Sequence, residues 1–487
     1  MDFSWSMLID LGIISCALLI ATLLRQWVSF LKKYRIPNSI TAGFLLLPFY
    51  NYLAPGLGIG TSGLGNLVFH LLNLSFVAMS LRVMEKSSSG RGVFSTAIAI
   101  LSQYSIQSLL GLGITFLFIV SIIPNLFPSF GLLITLGFAL GPGQAFSIGT
   151  GWEKLGFEGG GNVGLTFAAI GFLWACFGGM YLVNRAVHKG LIHPVHGGEG
   201  RIPENAAKSQ QSSKRENTAM KDPQNIPGGY PGDVQGHIPG GMTTPEVMDP
   251  LSYSIALVFV IYLITYLLLK LVTYGLSFTG DMGKDFADGL WGIAFIFAAM
   301  IATLAKRFLI RTGALSEGDN QRLTRIAGTS IDIMVSASIA AISIIVVVRY
   351  WLPIAVLSLL GGAVTMVGVL WISSRLFSDY IFHRTILIYG AMTGTLPTGL
   401  ALLRVIDPEF KTPASSDYMY AVGLVFVFAI PFIFSMNFPA YGFTTGRPFY
   451  YWITFLLYAF YLVFVLIAFR FIVGRGAFSK AGKIWKG

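Results

Sequence analysis

The feature that most constrains this chain is a series of apolar stretches, each about as long as a lipid bilayer is thick. A helix needs roughly 20 mainly apolar residues to cross a hydrocarbon core about 30 Å thick. Residues 7–24 and 451–469 are two such stretches with almost no charge. Across the chain, hydrophobic residues reach 54% and charged residues 11%, whereas about a quarter of a soluble domain is charged. The sequence therefore predicts an all-α polytopic membrane protein.

Eleven full crossings are predicted where apolar runs end at polar or helix-breaking residues. Two further apolar segments, 131–151 and 385–405, are interrupted by Gly141-Pro142-Gly143 and by Gly394 with Pro397. Whether these two segments cross the membrane decides the topology. The predicted crossings lie near residues 6–25, 38–54, 66–83, 93–120, 162–184, 251–274, 287–305, 326–348, 352–374, 416–437 and 449–472.

The distribution of basic residues indicates that both interrupted segments are re-entrant hairpins. If both turn back, one face collects most Lys and Arg residues, and the other keeps only Lys154, Lys284, Arg349 and Arg447. Treating either segment alone as a full crossing destroys this asymmetry. We therefore expect an inner-membrane protein with its N-terminus outside and its C-terminus in the cytoplasm. The first hairpin then enters from outside and the second from the cytoplasm, so that they face each other.

A polar segment divides the chain into two halves. Residues 186–250 are rich in Gly, Pro, Ser and Lys and predict a flexible cytoplasmic linker. Its histidines could bind a metal, but a solvated connector is the favoured interpretation. On this division, 1–185 is a first repeat, 251–437 is a second repeat, and 438–487 is an extra transmembrane helix with a cytoplasmic tail.

The two halves show a similar order of parts. Each has full helices, a helix started by proline (Pro37 or Pro353), a glycine-broken hairpin and a closing helix. Small and polar residues are also concentrated at 74–81 and at 336–343. Five crossings per half is an odd number, so the second copy is inverted. Two inverted five-helix repeats are an architecture of secondary transporters.

Broken backbone at membrane depth is costly unless it is buried in protein or lines a water-filled cavity. Amide groups at the starts of half-helices attract carboxylates, while freed carbonyls and hydroxyls attract Na⁺. Opposed hairpin tips therefore predict a binding site for a small anion. The alternative is that the glycines merely permit close helix packing. The candidate residues are Gly141, Gly143, Gln144, Ser147, Gly149 and Thr150 in the first tip, and Thr393, Gly394, Thr395 and Thr398 in the second.

Other polar residues within the predicted spans are candidate ion ligands. Asp332 is either a coupling-ion ligand or a carboxylate exposed to water or paired with arginine. The equivalent small polar stretches of the two halves suggest a Na⁺ site formed by Asn73, Ser75, Ser336 and Ser338.

Two further pairs of residues have simpler expectations. Gln103 and Gln107 share one helix face and either line the transport path or form interhelical hydrogen bonds. Cys16 and Cys176 lie within apolar spans, so we expect small buried side chains and neither a disulfide nor a metal site.

Several segments resemble the bacterial sodium/glutamate symporter family over roughly residues 5–437. Residues Val28 to Pro37, followed by Ala42-Gly43, are similar to the family's first loop and second helix. The family's Gly-His-Gly-Thr-Gly corresponds to Gly141-Pro142-Gly143-Gln144-Ala145. Its Gly-Ala-Thr-Pro-Thr-Ala-Ile-Ala-Asn corresponds to residues 394–402, Gly-Thr-Leu-Pro-Thr-Gly-Leu-Ala-Leu.

The resemblance implies an elevator-like transporter that acts as a homodimer and uses Na⁺ as the coupling ion, without an organic cofactor. The chain departs from the family at three hairpin positions. Pro142 replaces a His, Gln144 replaces a Thr, and Leu402 replaces an Asn. The final span also extends beyond the family's usual end.

The leading functional hypothesis is Na⁺-driven symport of glutamate or a related small carboxylate. The altered hairpin tips leave open symport or exchange of another organic anion, and a non-transporting membrane sensor on the same fold is a further alternative. A channel is less consistent with midplane breaks in a single chain. No paired-carboxylate, Ser/His or HExxH pattern points to an intramembrane enzyme, and the net charge of +11 reflects cytoplasmic loops rather than nucleic-acid binding.

Overall fold

The computed structural model describes residues 5–34, 36–83, 90–191, 248–278, 290–407, 412–474 and 482–485. Within these residues the regular structure is helical and contains no strand. Nine helical stretches in this part of the chain are long and apolar enough to cross a membrane. The prediction of an all-α structure is therefore confirmed for these residues, and the helices are consistent with a multi-pass membrane protein.

Among its described residues, the first half contains nine α-helices and four short segments of tighter or wider helix. Apolar residues dominate most of them, and proline or glycine stands where several of them begin or end. These helices are α1 (Ser6–Trp27), α2 (Ser29–Lys33), α3 (Asn38–Pro48, continued as π-helix Phe49–Leu53 and 3-10 helix Ala54–Leu57), α4 (Ser62–Leu81), α5 (Gly90–Ser121), α6 (Leu132–Thr135, continued as π-helix Leu136–Leu140), α7 (Pro142–Glu153), α8 (Gly160–Leu173, continued as π-helix Trp174–Gly178) and α9 (Gly179–His188).

The described part of the second half is also helical and ends in a long helix. Its helices are α10 (Pro250–Ser277), α11 (Ala294–Arg311), α12 (Asn320–Ala340), α13 (Ile344–Arg349), α14 (Trp351–Leu376), α15 (Ile381–Thr393), α16 (Leu396–Ile406), α17 (Ala414–Ser435), α18 (Phe438–Thr445) and α19 (Phe449–Val473). The predicted linker 186–250 lies mainly in residues 192–247, outside the described part of the chain.

Two of the eleven predicted crossings correspond to helices that are not among the nine apolar stretches. Prediction 287–305 falls on α11, whose C-terminal part carries Lys306, Arg307 and Arg311. Prediction 326–348 falls on α12 and α13, which are separated by three non-helical residues after Ala340. The described residues of both segments are mostly helical. The basic residues of α11 lower its mean hydropathy, and the break after α12 shortens the continuous helix, so neither segment is among the nine.

The break between α12 and α13 is stabilised by two asparagine side chains from the first half. Asn51 Nδ2 donates to the carbonyl of Ile342 at 2.9 Å, and Asn51 Oδ1 accepts from the amide of Ile344 at 3.0 Å. Asn162 Oδ1 accepts from the amide of Ser343 at 2.8 Å. These bonds satisfy backbone groups that the interrupted helix leaves open, which is the requirement for broken backbone in an apolar setting.

Two sequence predictions are wrong. Cys16 is exposed, because α1 packs inward through Ile14, Ala17 and Ala21 and Cys16 lies off that face, whereas Cys176 is buried as expected. Pro37 and Pro353 are not equivalent, because Pro37 precedes α3, the second long helix of its half, and Pro353 lies in α14, the fourth of its half.

Candidate functional site

The first break occurs at Gly141, where the helix that starts at Leu132 stops and α7 starts. Gly141 has φ 109° and ψ 173°, a backbone conformation that is essentially restricted to glycine. Pro142 then takes the first position of α7, where its missing N–H costs nothing. Local sequence therefore explains why the helix ends and restarts here.

The two limbs around this break form a hairpin whose ends lie together. Phe127, just before the hairpin, stacks on Phe157, just after it, with ring centroids 4.7 Å apart. Phe130 also lies 5.6 Å from Phe157 between ring centroids. The chain thus enters and leaves this hairpin at one end, and Gly141 lies at its tip.

The second break occurs at Gly394 and Thr395, between α15 and α16. Thr395 is extended, and Pro397 lies in the first turn of α16. The two limbs approach so closely that a methyl group on Gly390 would lie 2.7 Å from the Gly399 Cα atom. A methyl on Gly399 would lie 2.5 Å from the Leu387 carbonyl oxygen. Glycine on both limbs therefore permits a tight helical hairpin.

The two hairpins start near different ends of α5. A methyl group on Gly111 of α5 would lie 2.1 Å from the carbonyl oxygen of Gly131, at the start of the first hairpin. A methyl on Gly92 of α5 would lie 2.1 Å from Asp417 Oδ2, which accepts a hydrogen bond from Arg384 in the first turn of α15. Gly92 and Gly111 are about 28 Å apart at 1.5 Å per helical residue. The hairpin bases are separated by most of a bilayer core.

The tips of the hairpins are in contact. A methyl group on Gly141 would lie 3.1 Å from Thr395 Cγ2 and 3.4 Å from Gln144 Oε1. The tertiary structure therefore brings together two predicted groups of residues that are separated by about 250 positions in the sequence.

Both tips present the amino-terminal ends of helices. The first intrahelical bond of α7 is donated by Ala145 to Gly141, and that of α16 by Gly399 to Thr395. Amides that precede these donors have no partner within their helices, and the helix dipoles add partial positive charge at the same place. The ends of the preceding limbs contribute carbonyl groups. The meeting point combines anion-attracting and cation-attracting groups without a charged side chain among the predicted site residues.

The predicted side chains of the tips take different positions. Gln144 and Ser147 are almost fully buried on α7. Thr395 and Thr398 approach each other with hydroxyl oxygens 3.3 Å apart. Thr393 donates to the carbonyl of Tyr389 at 2.8 Å, within its own helix.

Close packing explains other glycines of the first hairpin. A methyl group on Gly143 would lie 2.6 Å from Leu72 Cδ1 of α4. One on Gly149 would lie 2.4 Å from the carbonyl oxygen of Gly160 on α8. At these two positions the packing interpretation holds, whereas at Gly141 the backbone conformation itself requires glycine.

Gln107 of α5 reaches the second break directly. Its Nε2 donates to the Met392 carbonyl at 3.0 Å and to Thr365 Oγ1 of α14 at 2.8 Å. Its Oε1 is buried without a hydrogen-bond partner among the described residues. The neighbouring Ser108 hydroxyl lies 2.8 Å from that of Thr135 in the first hairpin. Gln103 instead bonds to Ser102, so the two glutamines have different surroundings.

The predicted Na⁺ ligands lie on α4 and α12, two helices that pack extensively against each other. Ser75 and Ser338 donate to carbonyls of their own helices, those of Leu72 and Val335. Ser336 donates to the carbonyls of Ser39 and Asp332, both at 3.0 Å. Asn73 Oδ1 is buried with no hydrogen-bond partner in the described structure. The Na⁺ site stays a prediction, with Asn73 Oδ1 as the most available oxygen.

Comparison of the chain with protein-family models, with curated proteins and with solved structures finds no match. Function therefore has to be inferred from the residues and their geometry.

Proposed function

We propose that this chain is a Na⁺-coupled secondary transporter of glutamate or a related small carboxylate. The contact between two interrupted hairpins, Gly141 against Thr395, supports the proposal most strongly. Interrupted helices that expose amides and carbonyls in the middle of a membrane are typical substrate and ion sites of secondary transporters. A purely structural protein gains nothing from two such breaks, each of which costs free energy.

The order of helices supports an inverted repeat. Each half has four successive membrane-length helical segments, a broken hairpin and a closing helix, with α3 corresponding to α11 and α5 to α14. The corresponding third segments, α4 and α12, pack against each other. With five crossings in each half, the hairpins are re-entrant from opposite faces, the N-terminus is outside, and α19 returns the C-terminus to the cytoplasm.

The proposed binding chemistry uses both polarities of the tips. The amino-terminal ends of α7 and α16 attract a substrate carboxylate. Carbonyls at the ends of the preceding limbs, together with the threonine hydroxyls, provide oxygen ligands for Na⁺. Gln107 holds the Met392 carbonyl in place and keeps Oε1 available for a donor on the substrate or for the ion. Movement of the hairpin-bearing core against a dimeric scaffold in the bacterial inner membrane would then alternate access.

Another organic anion is the second candidate, and Leu402 favours it. This residue stands where the sodium/glutamate symporter family has an asparagine. Its side chain is buried, and methyl groups built on Gly179 and Gly390 would lie 2.5 and 2.8 Å from its Cδ1 atom. The position therefore contributes packing instead of a polar contact, which alters the site's substrate preference.

Uptake by proteoliposomes tests the proposal. The purified chain is reconstituted and supplied with radiolabelled glutamate, and in parallel with other small mono- and dicarboxylates, under inward gradients of Na⁺, H⁺ or neither. We expect accumulation of at least one carboxylate that depends on the Na⁺ gradient. Failure to accumulate any carboxylate under either gradient, with protein shown to be folded, would refute transport. Accumulation with H⁺ alone would refute only Na⁺ coupling.

A pair of glutamine variants connects uptake to the hairpin tips. Gln107→Leu removes the bonds to Met392 and Thr365, so we expect at least about tenfold slower uptake, equivalent to about 1.4 kcal/mol. Gln103→Leu changes the same residue type one turn away, where the side chain bonds to Ser102 of its own helix, and should change uptake less than about threefold. Equal effects of the two variants would contradict a role for Gln107 in the site.

A further inference from the structure

The last helix, α19, leaves an open cleft where it packs beside α5 and α17. The cleft has a volume of about 640 Å³ and is walled mainly by aromatic and aliphatic side chains. Phe428, Phe464 and Phe471 are partly or largely exposed there. The lining residues include Arg91, Ala97 and Leu101 of α5, and Ala468 and Ile472 of α19.

The cleft is charged at one end. Among the described residues that line it, Arg91 alone carries a charge. The Arg91 side chain is exposed, and its Nη2 lies 3.4 Å from the Ile472 carbonyl, at the end of α19. An apolar cleft with an arginine at one end is complementary to an amphiphile with an anionic head and an apolar tail.

The length of the cleft matches one leaflet of a bilayer. The lining residues of α5 extend from Arg91 to Leu101, which is about 15 Å at 1.5 Å per residue. Half of a hydrocarbon core about 30 Å thick is the same length. A chain that starts at Arg91 and follows the cleft would therefore end near the bilayer midplane.

We propose that this cleft binds an anionic phospholipid, with the phosphate group at Arg91 and one acyl chain between α5, α17 and α19. Arginine offers several N–H groups that pair with phosphate oxygens, and basic sites between membrane helices recognise anionic headgroups. The acyl chain covers the exposed phenylalanine rings. The bound lipid then contacts α5, α17 and α19 together and so attaches α19 to the rest of the protein. This inference depends on membrane insertion but not on the proposed transport activity.

The test measures lipid binding to the full, delipidated chain in detergent by native mass spectrometry. The probes are phosphatidylglycerol and phosphatidylcholine with identical dioleoyl chains, and glycerol phosphate as a headgroup without chains. One arginine near a phosphate corresponds to about a fivefold preference at low salt. We therefore expect wild-type protein to prefer phosphatidylglycerol about fivefold, to lose part of this preference at high salt, and not to retain glycerol phosphate.

Three variants separate the contributions that the headgroup, the acyl chain and general surface charge make to lipid binding. Arg91→Gln should abolish the preference while leaving phosphatidylcholine binding unchanged. Ala468→Phe fills the cleft from α19 and should weaken both lipids. Arg470→Gln is the matched control, because Arg470 lies at the same end of α19 but about 200° around the helix from Ala468, away from the cleft. Unchanged preference in Arg91→Gln, equal loss in Arg470→Gln, or binding of glycerol phosphate equal to that of the lipid would each overturn the proposal.

Discussion

Replacing Arg384 with glutamine should destabilise the protein more than any comparable change at its surface. Arg384 Nη1 donates to Asp417 Oδ2 at 2.7 Å, and the side chains are only 3% and 0% exposed. Gly92 of α5 closes the pair from one side, and the Phe377 ring centroid lies 5.1 Å from the guanidinium carbon. The pair therefore joins the base of the second hairpin to α5 and α17, away from water.

The expected magnitude follows from this burial. Removing one partner of a buried ion pair typically costs about 3–5 kcal/mol, because a charge stays in a low-dielectric environment without its counter-charge. The control is Arg349→Gln, which removes the exposed ion pair of Arg349 with Glu158, whose side chains are 56% and 76% exposed. An exposed pair contributes about 0–1 kcal/mol, so the control should be nearly neutral.

The measurement is equilibrium unfolding of the purified chain in mixed micelles with increasing mole fraction of sodium dodecyl sulfate. Arg384→Gln should shift the midpoint strongly, while Arg349→Gln should shift it little. The double variant Arg384→Met with Asp417→Leu should be less destabilised than Arg384→Gln, since no charge is left buried. Equal shifts for Arg384→Gln and Arg349→Gln, or a double variant worse than the single one, would refute this reasoning.

Three further predictions concern single residues. Gly141→Ala should lower the free energy of unfolding by about 1–3 kcal/mol and slow uptake, because φ 109° is strained for alanine. The control is Gly151→Ala in the same hairpin, where the added methyl group meets no atom within 4 Å. It should be neutral in both the unfolding and the uptake assay. Burial acts to raise the pKa of Asp319, but hydrogen bonds from Ser316 and the Arg322 guanidinium outweigh it, so the pKa is lowered. The resulting stabilisation of residues 312–322 is present above the ordinary aspartate pKa of about 3.9, and it is lost as pH falls through the lower pKa of the folded protein. Hydrogen exchange of these residues, corrected for the intrinsic rate, should therefore rise at low pH and in Asp319→Asn. It should not rise in the control Glu317→Gln. Asn51→Leu should raise hydrogen exchange at Ile344, because the Ile344 amide loses its acceptor Asn51 Oδ1; unchanged exchange at Ile344 would contradict the capping role.

Local sequence was sufficient to predict most helices and the two hairpin breaks, but not the break between α12 and α13. A run of apolar residues becomes a helix because its own backbone must satisfy its hydrogen bonds in an apolar environment. Gly141 with Pro142, and Gly394 with Pro397, end and restart helices through their own backbone preferences. Boundaries near polar segments were less exact, as in α11, since its charged C-terminal part weakens the apolar signal.

The tertiary structure decided which of these elements meet. The contact of Gly141 with Thr395, the bond from Gln107 to Met392, and the pairing of Arg384 with Asp417 each depend on how whole helices pack. Hydropathy and helix breakers describe a residue's immediate neighbours, so they do not specify a partner on another helix. They also do not distinguish the inner and outer faces of α1, which explains the wrong expectation for Cys16. The sequence by itself determined where most helices run and where the two hairpins break, and packing alone determined that these two breaks meet.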